Sequence, residues 1–120
     1  MASAFHACAG GTIGRANLDG TGANTSFIFN GSFVSGLLGV AVNRQHIYWT
    51  NGSTIGRANL DGTGVNLNFI TGVSASAVAL DGQHIYWTTG SGIGRANLSG
   101  SGVNSSFISG GSPAAIAVAG

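Results

Sequence analysis

Residues 45–62 read Gln-His-Ile-Tyr-Trp-Thr-Asn-Gly-Ser-Thr-Ile-Gly-Arg-Ala-Asn-Leu-Asp-Gly. His46 to Thr50 is rich in β-branched and aromatic residues and alternates as a short strand does. Asn51-Gly52-Ser53 supplies a tight connection, after which Ile55 to Leu60 alternates again. Asp61-Gly62 is a hairpin signal, because both residues tolerate the positive φ that a two-strand turn needs. Beyond it Val65, Leu67 and Phe69 point one way and Asn66 and Asn68 the other. No window carries a 3.6-residue apolar period long enough for a helix, so the class is all-β.

The stretch is one copy of a repeat. Ile-Gly-Arg-Ala-Asn-Leu occurs at 13–18, 55–60 and 93–98, in steps of 42 and 38 residues. Each copy runs into a turn: Asp19-Gly20-Thr21-Gly22, Asp61-Gly62-Thr63-Gly64 and Ser99-Gly100-Ser101-Gly102. A Phe-Ile pair follows at Phe27, Phe69 and Phe107, then a small-residue strand at Val40-Ala41-Val42, Val78-Ala79-Leu80 and Ile116-Ala117-Val118. A four-residue insertion between Phe27 and Val40 accounts for the uneven step. Gln-His-Ile-Tyr-Trp-Thr stands at 45–50 and 83–88, and its place in the first unit is 3–8, where only Phe-His-Ala-Cys remains of the pattern.

Composition narrows the class further. The 120 residues include four Arg and three Asp as the only charged side chains, with 22 Gly and 43% apolar residues. Disorder is excluded by low charge together with six Phe, two Trp and two Tyr. Four scattered Arg offset by three Asp make no basic patch, so nucleic acid is not an expected partner. The longest apolar run, near 37–42, is broken by Gly39 and too short for a bilayer, so no membrane partner is expected. The glycines keep no three-residue period, which excludes collagen. Cys8 is the single cysteine and reads as a small apolar residue, with no intrachain disulfide possible. The first ten residues lack a basic n-region and a sustained apolar core, so no signal peptide is read. Localisation is open, with an extracellular or cell-surface setting weakly favoured.

Four strands per unit of about 40 residues is the spacing of a β-propeller blade. Strands near a propeller axis are crowded, which suits the Gly, Ala and Val of 39–42 and 77–80. Blades bury both faces, which suits the shortage of charge, while Trp49, Trp87, Phe69 and Phe107 fit the wider gaps further out. A flat sandwich competes but gives no reason for so close a repeat. Ile47-Tyr48-Trp49-Thr50-Asn51, followed by Ile55-Gly56-Arg57-Ala58-Asn59-Leu60-Asp61-Gly62, resembles the YWTD repeat of low-density-lipoprotein-receptor-type propellers, in its bacterial version. The resemblance covers essentially the whole chain, is specific in two of three units, and implies a six-bladed ring. Asn51 and Thr89 replace the motif's Asp, and the first unit lacks Tyr-Trp-Thr, so no calcium or receptor-ligand function is carried over.

With blade strands named A (inner) to D (outer), residues 1–120 read as one half-propeller of three units, approximately 3–42, 43–80 and 81–118, each in the order B-C-D-A. Three blades do not close a ring, and an open arc exposes an edge strand and two apolar faces. A homodimer gives six blades, with 115–118 of one copy beside 3–8 of the other in a two-fold arrangement. The other arrangements are a fragment of a longer chain, another ring size or an open filament.

Catalytic chemistry finds little support. Streptogramin-lyase-like propeller enzymes share the Ile-Gly-Arg resemblance, but their chemistry needs carboxylate-held metal and a His base, and here there is no Glu and the Asp residues sit in turns. No catalytic residues, metal or cofactor are expected. His46 and His84 hold equivalent strand-start positions on separate units rather than converging. Arg15, Arg57 and Arg95 read, with Trp49 and Trp87, as structural repeat residues, the arginines hydrogen-bonding or stacking on aromatics from blade to blade rather than binding an anion. The sequence reading is therefore a self-assembling scaffold or binding module, with the repeating subunit of a fibre or coat as a further alternative. Candidate contacts for a neutral glycan or peptide lie in the D–A loops (30–38, 73–77 and 110–115) and the B–C loops (51–53 and 89–91): Asn30, Ser32, Asn51, Ser53, Thr89, Ser91 and Ser112. The same residue types are also ordinary turn formers.

Overall fold

A computed structural model of the chain describes residues 3–8, 12–29 and 38–119. The described residues contain eleven strands and no helix. β1 (Ser3–Cys8), β2 (Thr12–Asn17) and β3 (Asn24–Phe29) form one antiparallel sheet. β4 (Gly39–Val42), β5 (His46–Thr50), β6 (Gly52–Asn59) and β7 (Asn66–Ala75) form a second, in that order. β8 (Val78–Leu80), β9 (His84–Thr88), β10 (Gly92–Asn97) and β11 (Asn104–Ser109) form the third. Within each sheet the strands pair in sequence order, because short polar turns bring each strand back beside the one before it.

Register makes the three sheets equivalent residue by residue. Phe5 lies opposite Arg15, Tyr48 opposite Arg57 and Tyr86 opposite Arg95. One step on, His6, Trp49 and Trp87 face Gly14, Gly56 and Gly94. The pairing with the outer strand shifts beside each of these glycines, between Ile13 and Arg15, Ile55 and Arg57, and Ile93 and Arg95. Glycine is required there by space: a Cβ on Gly56 or Gly94 would overlap the indole of Trp49 or Trp87, and one on Gly14 would overlap the imidazole of His6. The outer hairpins close identically. Asp19 and Asp61 accept hydrogen bonds from the backbone N–H and the hydroxyl of Thr21 and Thr63, and Ser99 and Ser101 share the equivalent hydroxyl contact at 2.8 Å. Gly20, Gly62 and Gly100 then take φ of 86°, 88° and 89°, as that turn demands.

The sheets stack face to face and bury two equivalent cores. Ile13 and Ile28 of the first sheet meet Ile47, Trp49 and Ala58 of the second. Ile55 and Ile70 of the second meet Ile85, Trp87 and Ala96 of the third. Val73, Ala75 and Val78 extend the second core. Their burial accounts for one departure from expectation. Residues 73–77 read as a loop and Asn51-Gly52-Ser53 as a bare connection, yet β6 begins at Gly52 and β7 runs to Ala75, with Gly52 paired to Ala75 through an irregular register. Residues 115–118 repeat the apolar pattern of β4 and β8 but are in no strand. β4 and β8 pair with β5 and β9, whereas 115–118 pair with no described strand.

Candidate functional site

Three features distinguish the surface: a cation–aromatic ladder, a polar loop end and a pair of unlike outer faces. The ladder runs across each sheet. Arg15, Arg57 and Arg95 lie over Phe27, Phe69 and Phe107, with the guanidinium carbon 4.3, 4.2 and 4.0 Å from the ring centroid. An aromatic on the neighbouring strand completes each rung: Phe5 with Phe27, Tyr48 with Phe69 and Tyr86 with Phe107, at 6.0, 6.1 and 6.2 Å. The recurring arginines thus stack within their own sheet.

His46 and His84 extend the rung toward the strand start, each 6.0 Å from its tyrosine. Partial burial, assisted by the charge of Arg57, lowers the His46 pKa. Asp81 accepts the backbone N–H groups of Gln83 and His84 at 2.8 and 2.7 Å and the Tyr86 hydroxyl at 2.8 Å. These bonds, the Gln83 N–H first, hold its carboxyl below the usual carboxylate value, and the contact raises the Tyr86 pKa. Asn43 makes the equivalent backbone bonds in the second sheet, both at 2.8 Å, without the charge. Among the described residues no group of three or more His, Cys, Asp or Glu is placed to hold a metal ion.

The loop end gathers the β5–β6 and β9–β10 connections and the segment after β11. Asn51 accepts from the Thr54 N–H and hydroxyl at 3.0 and 2.6 Å. Thr89 accepts from the Ser91 N–H at 3.1 Å. Ser112 donates to the Gly90 carbonyl at 3.2 Å and Gly110 to that of Ser91 at 2.7 Å, which ties the two loops together. Ser53, Ser91 and Ser112 are exposed; Asn51 and Thr89 are half-buried. Asn30 and Ser32 lie outside the described residues. Deeper in, the buried Thr50 hydroxyl donates to the Ser76 carbonyl at 2.6 Å and so joins the second sheet to the third. The two grooves open at the opposite end. One, of about 390 Å³, lies beside the edge of β1 between Ser3, Phe5 and Arg15 on one side and Val42, Asn43 and Arg44 on the other. A second, of about 310 Å³, lies between Arg44 and Asp81.

The outer faces differ in kind. Ile93, Phe107 and Ile108 occupy the third sheet's positions equivalent to Ile55, Phe69 and Ile70, which the third sheet covers. Ile28 and Ile70 are each 3% exposed, whereas Ile108 is 53% exposed. On the opposite outer face, Ala4, His6 and Leu18 hold the positions of Ile47, Trp49 and Leu60, and Leu18 is 70% exposed. Reading the sequence as decayed at 3–8 hid this correspondence; sliding Ala-Phe-His-Ala against Ile-Tyr-Trp-Thr aligns an aromatic with Tyr and a ring with Trp.

Comparison with protein-family models gives no match, and comparison with curated proteins gives none either.

Proposed function

We propose that the chain is a non-catalytic scaffold or binding module of the β-propeller type, whose three sheets are three blades of a six-bladed ring closed by a second copy. The carrying observation is the third sheet's outer face. It presents Tyr86, Ile93, Arg95, Phe107 and Ile108 in the order that the first two sheets bury under a neighbour. A further sheet of the same kind is the natural cover for it, and two copies related by a two-fold axis supply one at each seam. Among the described strands β1 pairs only with β2, and its other edge lies on a groove of about 390 Å³. Residues 115–118 carry the pattern of β4 and β8 and pair with no described strand. In this reading they complete the partner's first sheet, antiparallel to β1, by strand exchange.

The YWTD-type resemblance supports six blades rather than another number. A neutral ligand, glycan or peptide, fits the loop end, where Asn51, Ser53, Thr89, Ser91 and Ser112 offer polar groups without charge; a glycan array tests it.

Molar mass in dilute solution, by sedimentation or light scattering, tests the assembly. A pair of 11.8 kDa chains that persists at micromolar concentration is expected. A well-behaved monomer, or a mass that grows without limit, overturns the closed ring.

A further inference from the structure

Within the proposed ring, the seam between copies is built from different side chains than the junctions inside one copy. At each internal junction an indole lies against a glycine, Trp49 against Gly56 and Trp87 against Gly94. Trp49 shares a buried cluster with Ile13, Ile28 and Ile47. Trp87 shares one with Ile55, Ile70 and Ile85. At the seam the same place is taken by His6, whose imidazole lies over Gly14, with Ala4 where Ile47 and Ile85 stand. The facing wall is unchanged in kind: the partner copy brings up Ile93 and Ile108, the equivalents of Ile13 with Ile28 and of Ile55 with Ile70.

Trp to His deletes the six-membered ring of the indole, and Ile to Ala deletes three more carbons. Close packing relaxes only in part around such deletions, and the space that remains, apolar except for one imidazole, suits a small guest that is apolar over most of its surface. We infer that each seam carries a socket between Ala4 and His6 of one copy and Ile93 and Ile108 of the other, sized for a single aromatic ring and suited to a phenol. The ring fills the place of the missing benzo group, and the hydroxyl reaches the imidazole of His6, which in its neutral form has one donor and one acceptor nitrogen. The inference rests on the ring reading above, because without a second copy the His6 face is open to water: His6 and Ala4 are both exposed in the single chain.

Phenol itself is the probe, used on the whole chain. The dimer dissociation constant is measured by sedimentation with and without phenol, and binding by calorimetry. With two sockets per pair and none in the monomer, phenol at about nine times its own Kd lowers the dimer Kd about a hundredfold. His6→Trp and, separately, Ala4→Ile fill the socket from within. Each is expected to tighten the pair at least about tenfold without phenol and to remove the phenol effect. A pair that forms but ignores phenol means the seam has collapsed; it overturns the socket and leaves the ring standing. Phenol binding undiminished in both variants overturns the socket as well. A monomer at all concentrations, with and without phenol, overturns the ring and the socket with it.

Discussion

Replacing Ile70 and Ile108 separately by alanine isolates what the third sheet's outer face does. The two residues are equivalent in the repeat; one is 3% exposed and the other 53%. Ile70→Ala removes three carbons from a closed junction and is expected to lower folding stability by about 2–5 kcal/mol. For a single copy, Ile108→Ala is expected to cost well under half of that, since much of the side chain is already in water. In the closed pair, however, each Ile108 is buried at a seam, and there are two seams. Taking about 2 kcal/mol for each, the low end of the buried range, the pair loses about 4 kcal/mol, roughly a thousandfold in dimer Kd. Sedimentation across a wide concentration range reads the dissociation constant, and thermal unfolding below it reads the single copy. If Ile108→Ala leaves the dimer Kd within a few-fold of the parent while Ile70→Ala lowers the melting midpoint, the outer face is not the seam and the reasoning fails.

Gly56→Ala forces a methyl into the Trp49 indole and is expected to cost at least about 1–3 kcal/mol, seen as a lowered midpoint. Gly82→Ala, where nothing lies within 4 Å of the added carbon, stays near neutral. Arg57→Lys replaces a planar cation stacked on Phe69 and is expected to lose about 0.5–2 kcal/mol in chemical denaturation; Arg44→Lys on the exposed loop serves as the unaffected control. For pH, His46 and the three aspartates all have lowered folded pKa values, so each contributes stability that is present above its unfolded pKa and lost as pH falls through the folded one. The melting midpoint is therefore expected to sag below about pH 6.5 through His46 and to fall again below about pH 4 through the aspartates. Asp81→Asn, which imitates Asn43, shrinks the acid limb; an unchanged limb counts against the hydrogen-bonded carboxylate as its origin.

Much of this protein is legible along the chain because its signals are local. Alternation in His46 to Thr50 needs only the pleat of one strand. The Asp-Gly-Thr-Gly turns need only the side chain of Asp61 and the φ freedom of Gly62, so the hairpins and the repeat emerge from residues a few positions apart. Stacking of the recurring arginines on aromatics was legible, but not that the stack lies within one sheet: Arg57 meets Phe69 of its own sheet, beside the shifted register at Gly56. The continuation of β7 to Ala75 was illegible for the same reason, since Gly-Val-Ser-Ala looks like a loop until Val73 and Ala75 find a core contributed by the third sheet. The loop-end candidates were recognised as polar; the bonds of Asn51 to Thr54 and of Thr89 to Ser91 close single loops, while that of Ser112 to Gly90 exists only where two loops meet.

Local periodicity and turn chemistry thus determine strand, hairpin and repeat, because they act over distances the chain itself spans. Tertiary structure alone decides which face covers which, that Trp49 and Trp87 are buried at junctions while His6 is exposed, and that 115–118 pair with no described strand. Those outcomes depend on what lies across the sheet stack, where the neighbour is tens of residues away and the free energy comes from burial between sheets rather than from preferences within a strand.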